Sequence, residues 1–147
     1  MIMKKFILLL IVPFVMSGQK LSDHEINEFM TAMALETASI CPVQMDKYTM
    51  VANCIYSHNQ RTMMYSVVCD IRSAFSDDVV GIETGTYTME QWEGLWLIEQ
   101  KNIMANMFCT TPETKILRDN KIQLTYRYSD PNGKYIGKIE LQKSVCK

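Results

Sequence analysis

Five cysteines, two histidines, one acidic cluster and several paired methionines are the residues of this sequence that could do chemistry. Cys41, Cys54, Cys69, Cys109 and Cys146 follow one another at spacings of 13, 15, 40 and 37. No C-x2-C pair occurs, which disfavours a zinc knuckle or a thioredoxin-type dithiol. An odd count leaves at least one thiol over, or pairs it between chains. His24 and His58 stand in no Cys–His or Ser–His motif and read as surface residues. Asp77, Asp78 and Glu83 could bind Ca²⁺ or act as the paired carboxylates of a hydrolase. They lack EF-hand spacing, so a solvated acidic loop is the simpler expectation. Met30/Met33, Met63/Met64 and Met104/Met107 could hold Cu(I) through thioethers. Two of these pairs lie on apolar helical stripes, where core packing is expected instead. Trp92 and Trp96 are one helical turn apart. Trp96 reads as core, whereas Trp92, nearer the helix start, is a candidate partner-binding residue. No catalytic residue, metal ligand or cofactor is assigned.

Lys4 and Lys5 precede an apolar run, Phe6–Met16, and Ser17-Gly18 then supplies small residues. The run is too short to span a bilayer, and its flanks fit cleavage of a secretory signal. Residues 1–18 are therefore expected to be a signal peptide, and residues 19–147 a single exported domain, periplasmic or extracellular. Removing 18 of 147 residues leaves 13 basic side chains against 16 acidic ones. Without a basic stripe, nucleic acid is not an expected partner, and no second apolar span follows. Export permits disulfides.

The elements that must position these residues are well marked. Ser22 and Glu25 form a capping box with a Leu21/Ile26 staple ahead of a helix whose apolar face carries Ile26, Phe29, Met30, Met33 and Ile40. Cys41-Pro42 ends it. Two β-type runs, "MDKYTMVANCIYS" and "RTMMYSVVCD", flank "HNQ" and predict a hairpin. A turn near Asn59 would set Cys69 opposite about Tyr48 and Cys54 opposite about Met63. A Cys54–Cys69 bridge would need another register, since bridged Cα atoms lie within ~7 Å. A Cys41–Cys69 pair is allowed, and Cys54 reads as a small buried hydrophobe. Residues 71–88 read as loop, with a short strand near Val79–Ile82. Thr88 and Gln91 cap a second long helix with Trp92, Trp96, Ile103 and Met107 on one side and Leu95, Met104 and Phe108 beside them. Thr111, Pro112 and Glu113 open a short third helix that Asn120 ends in the left-handed region. A final hairpin alternates Ile122, Leu124, Tyr126 and Tyr128 with polar residues, turns at "SDPNG", and continues through Tyr135, Ile139 and Leu141.

The stretch "NMFCTTPETKILRDNKIQLTYRYSDPNGKYIGKIEL…SVC", with "CPVQMDKYTMV" before it, resembles a group of small exported bacterial proteins that includes the alternative type II secretion pilotins. The shared pattern falls on Cys109, Pro112, Leu117, Tyr126, Tyr128, Gly133 and Cys146. The resemblance implies a Cys109–Cys146 disulfide and a five-stranded or similar sheet with helices on one face. Asn120 stands where the group often has Gly. A pilotin carries its lipid on a cysteine after the apolar run, and none occurs there, so the chain reads as a fold relative. Residues and resemblance together predict an α+β domain. Its antiparallel sheet has about four to five strands, helices pack on one face, and the order is helix, hairpin, helix, helix, hairpin. The expected role is a non-catalytic binding or assembly module of the envelope. Its partner is another envelope protein, docking a helix or strand beside the second helix or on a sheet edge.

Overall fold

The computed structural model describes residues 21–77 and 88–147. Helix α1 (Asp23–Ile40) starts on the expected box: Ser22 Oγ accepts from Glu25 N, and the Glu25 carboxylate accepts from Ser22 N. Its core face is Ile26, Met30, Met33, Ala34 and Thr37. Ile40, expected on that face, is 55% exposed. The stripe steps from Thr37 to Cys41, four residues on, and turns Ile40 outward.

Strand β1 (Val43–Gln44) pairs antiparallel with β2 (Thr49–Ser57), which pairs antiparallel with β3 (Thr62–Cys69). The reversal occupies residues 58–61, with Arg61 left-handed at φ 48°. This four-residue turn and a bulge between Val51 and Asn53 reset the expected register. Cys54 faces Tyr65 and Cys69 faces Thr49. Helix α2 (Ile71–Asp77) replaces the expected loop. Asp70 starts it, its carboxylate accepting from Ser73 N and Ser73 Oγ. The strand expected near Val79–Ile82, with Asp78 and Glu83, lies outside the described residues, as do the contacts of the Asp77 side chain.

Helix α3 (Met89–Thr110) carries the Thr88/Gln91 capping box. Met104 and Phe108 are its buried residues. Ile103 and Leu95, expected on or beside the packed side, are exposed. The packed stripe runs at multiples of four through half-buried Trp96 and buried Met104 and Phe108, so α3 is rotated away from Ile103. A 3-10 turn, Pro112–Thr114, leads into α4 (Lys115–Asp119). Thr111 makes no side-chain cap. The buried Thr114 hydroxyl instead donates to the Phe108 and Thr111 carbonyls, and the Arg118 guanidinium also reaches the Phe108 carbonyl. Asn120 is not left-handed (φ −96°); Lys121 takes that position at φ 55°. The Asn120 amide donates to the Ile116 carbonyl at 2.9 Å, which holds it in the helical turn.

Strands β4 (Gln123–Ser129) and β5 (Tyr135–Leu141) form the second hairpin. In its turn Asp130 Oδ1 accepts from Asn132 N and Lys134 N, and Gly133 adopts φ 83°. A bulge beside Tyr128 and Ser129 breaks the alternation, so Tyr135 is half exposed and does not join the core.

The sheet order is β1-β2-β3-β4-β5. The domain is α+β, as expected, and all neighbours are antiparallel except the central β3–β4 pair, which is parallel. The chain leaves β3 at Cys69 and returns at Gln123 only after the helices, a crossover that permits parallel pairing. Helix α1 packs on β2 and α3 on β5. Beneath them the Tyr65 and Tyr126 rings stack at 4.8 Å. Tyr128 meets Trp96 edge-on and donates to Met104 Sδ at 3.6 Å. No helix among the described residues is long and apolar enough to cross a membrane.

Candidate binding face

Strand alternation sends one set of side chains under the helices and the other to a face that no described helix covers. Two rows cross that face. Ile55, Met64, Thr125 and Glu140 are successive cross-strand neighbours in one; Asn53, Ser66, Arg127 and Lys138 form the other. Together with Tyr135, Gln60 and Gln123 they line a shallow groove of about 530 Å³. The surface is graded, with Ile55 and Met64 apolar toward β2 and two cations toward β5. Glu140 is the one carboxylate of the groove lining, and it pairs with Lys138 Nζ at 2.8 Å. That bond and the charge behind it raise the Lys138 pKa. Arg127 lies 5.2 Å from the Tyr135 ring centroid, a cation–π contact the β5 bulge makes possible. Among the described residues it forms no ion pair.

The sequence-marked candidates fall elsewhere. His24 lies on the outside of α1, 3.2 Å from Glu28. His58 sits exposed at the β2–β3 tip, where Nε2 is 2.7 Å from Thr31 Oγ1, so it ties the tip to α1. Met30, Met33, Met63 and Met104 are buried in the core. Among the described residues no three His, Cys, Asp or Glu side chains are grouped to hold a metal ion. Trp92 and Trp96 are partly buried against the core, on the helix-covered side. Sulfur atoms of Cys109 and Cys146 are bonded, with Cα atoms 5.4 Å apart. Cys41, Cys54 and Cys69 are free thiols. Burial pushes Cys54 up to about 12 and Cys69 to about 11, which makes both poor nucleophiles at neutral pH. Arg127 and Lys138 were not singled out from the sequence; the alternation of "LTYRYS" and "YIGKIEL" was the signal that could have found them.

No family profile and no curated protein matches this chain. Two solved structures share its fold. One is a candidate secreted protein from Pseudomonas aeruginosa, at a TM-score of 0.59 and 11% identity, covering 88% of this chain and 100% of that one. The other is EpsS, the pilotin of the Vibrio vulnificus type 2 secretion system, at a TM-score of 0.59 and 10% identity, covering 85% and 94%. The fold is pilotin-like. At this identity the likeness speaks for architecture, and the pilotin-like frame leaves one sheet face for the chain's own residues to specialise.

Proposed function

We propose that the chain is an exported, non-catalytic binding module of the bacterial envelope, and that its open sheet face receives an acidic segment of another envelope protein. The observation that carries this reading is the pairing of Arg127 and Lys138 as cross-strand neighbours on a face that no described helix covers and whose single carboxylate is already engaged. An acidic group beside Arg127 would complete a charge-assisted contact, and Ile55 and Met64 offer apolar area next to it. The apolar run at Phe6–Met16, with Lys4 and Lys5 ahead of it, supports export of residues 19–147.

A photo-cross-linking residue at Ser66 is expected to trap an envelope protein in the native cell. Arg127→Glu is expected to cut the adduct about tenfold or more, because a like charge then faces the acidic segment. Ile98→Glu, on the outer side of α3, should leave the adduct unchanged. A second reading rests on Leu95, Ile98 and Ile103, which expose 45%, 61% and 38% of their surfaces on the helix that bears Trp92. If a cross-linking residue at Leu95 traps the partner instead, and Ile98→Glu abolishes that adduct, the partner docks there, with Trp92 as its anchor. An absence of any adduct from either face refutes the binding reading.

A further inference from the structure

We propose that Cys41 and Cys54 form a second disulfide in the oxidised protein, tying the end of α1 to strand β2. Two independent lines of geometry converge on the pair. Along α1 the core stripe Ile26, Met30, Ala34, Thr37 leads to Cys41, which packs against the core just beyond the helix end. Along the sheet, Val43 pairs with Val51 in an antiparallel register. Extended two residues back from Val43, past the start of β1, this register brings Cys41 toward Asn53 and Cys54 of β2. The bulge between Val51 and Asn53 inserts Ala52, so Val51 and Cys54 are both buried on the helix-covered side. The two thiols are near enough for the charge of Cys41 to raise Cys54, and to raise Tyr65, the cross-strand partner of Cys54.

Cys69 does not compete for Cys54. It faces Thr49, with its Sγ 3.6 Å from Thr49 Oγ1, and Thr49 lies five residues along β2 from Cys54. That is about 16 Å of strand, beyond the reach of a disulfide. Cys54 Sγ now rests 3.2 Å from Met63 Sδ, a contact it would exchange for Cys41. The five cysteines then resolve into two bridges and one buried thiol.

The oxidant is a small-molecule or protein disulfide. The thiolate of Cys41, the less buried of the two, attacks it, forming a mixed disulfide and releasing one thiol. Cys54, as thiolate, then attacks the Cys41 sulfur and releases the second thiol. Two protons and two electrons leave the protein, and one disulfide of the oxidant becomes two thiols. Burial of Cys54 makes the second step slow.

The proposal rests on the exported reading only for where oxidation occurs, so the test is made in a defined buffer. Reduced full-length chain is oxidised with a glutathione couple, unfolded with an alkylating agent and cleaved with trypsin. Lys47 and Arg61 place Cys41, Cys54 and Cys69 on separate peptides. The expected map is 41–54, 109–146 and alkylated Cys69. With Cys41→Ser, Cys54 and Cys69 are both alkylated. If 109–146 closes while Cys41 and Cys54 are both alkylated, or if Cys41 is joined to Cys69, the proposal is overturned. Bridges that form in this buffer but are absent from protein isolated from cells would refute export and leave the pair intact.

Discussion

Above about pH 10 this protein is expected to unfold in one cooperative step led by its tyrosines. Tyr65, Tyr126 and Tyr128 are buried side by side beneath the helices. Burial raises all three, and the charge of a neighbouring tyrosine adds to the shift of Tyr65 and Tyr128. An unfolded tyrosine ionises near 10. The folded state keeps its protons above that value, so below pH 10 the contribution to stability is intact and above it stability falls. Each retained proton costs about 1.4 kcal/mol per pH unit, so three cost about 4 kcal/mol per unit. Typical stabilities of about 5–15 kcal/mol are then exhausted within roughly one to four units. Tyrosinate absorbance from these rings should appear together with the loss of far-ultraviolet dichroism, and Tyr128→Phe should make the pH dependence shallower by one proton. Ionisation of all three near pH 10 with the fold unchanged would contradict the burial described.

Cys146→Ser is expected to lower the melting temperature by about 10–20 °C. The Cys109–Cys146 bond closes a loop of 37 residues. In the chain-entropy model that restricts the unfolded state by roughly 3.5–4 kcal/mol, and a domain of this size converts each kcal/mol into about 3–5 °C. The folded state adds a local term. Val145, which ends the 3-10 turn Lys143–Val145, and Cys146 pack against the core, and the bond anchors that segment to the end of α3. Cys109→Ser, Cys146→Ser and the double variant each delete the same cross-link and should melt together. A drop under about 3 °C, or three unequal drops, would mean that packing at one of the two sites, not the cross-link, sets stability.

Local signals in the sequence located most elements. Both long helices start on capping boxes that name their own first residues, Ser22/Glu25 and Thr88/Gln91. The "SDPNG" turn needs Gly133 in a left-handed backbone, and Gly133 is there. What escaped was decided by contacts distant in sequence. The parallel β3–β4 pair depends on where the chain returns after three helices, which no local pattern encodes. The Cys54 and Cys69 registers hinged on one bulge and one extra turn residue. Helix α2 was marked by Asp70 and Ser73, a cap without the Ser/Thr-x-x-Glu/Gln signature. The candidate face was the least legible. Arg127, Lys138 and Tyr135 come from two strands, and a bulge turns Tyr135 to meet Arg127.

The parallel seam also orders events in time. β2–β3 and β4–β5 are hairpins whose partners lie close in sequence, so each can zip on its own. The β3–β4 seam joins residues such as Tyr65 and Tyr126, and its loop-closure entropy must be met before any contact rewards it. Cys109 lies inside that loop and Cys146 beyond it, and the path from Tyr65 to Tyr126 through the Cys109–Cys146 bond is no shorter than the direct one. Oxidation should therefore slow unfolding while leaving the rate of seam formation nearly unchanged. Pulse-labelled amide exchange should protect both hairpins before the seam, in oxidised and reduced protein alike; simultaneous protection would show that the two halves of the chain dock before either hairpin is complete.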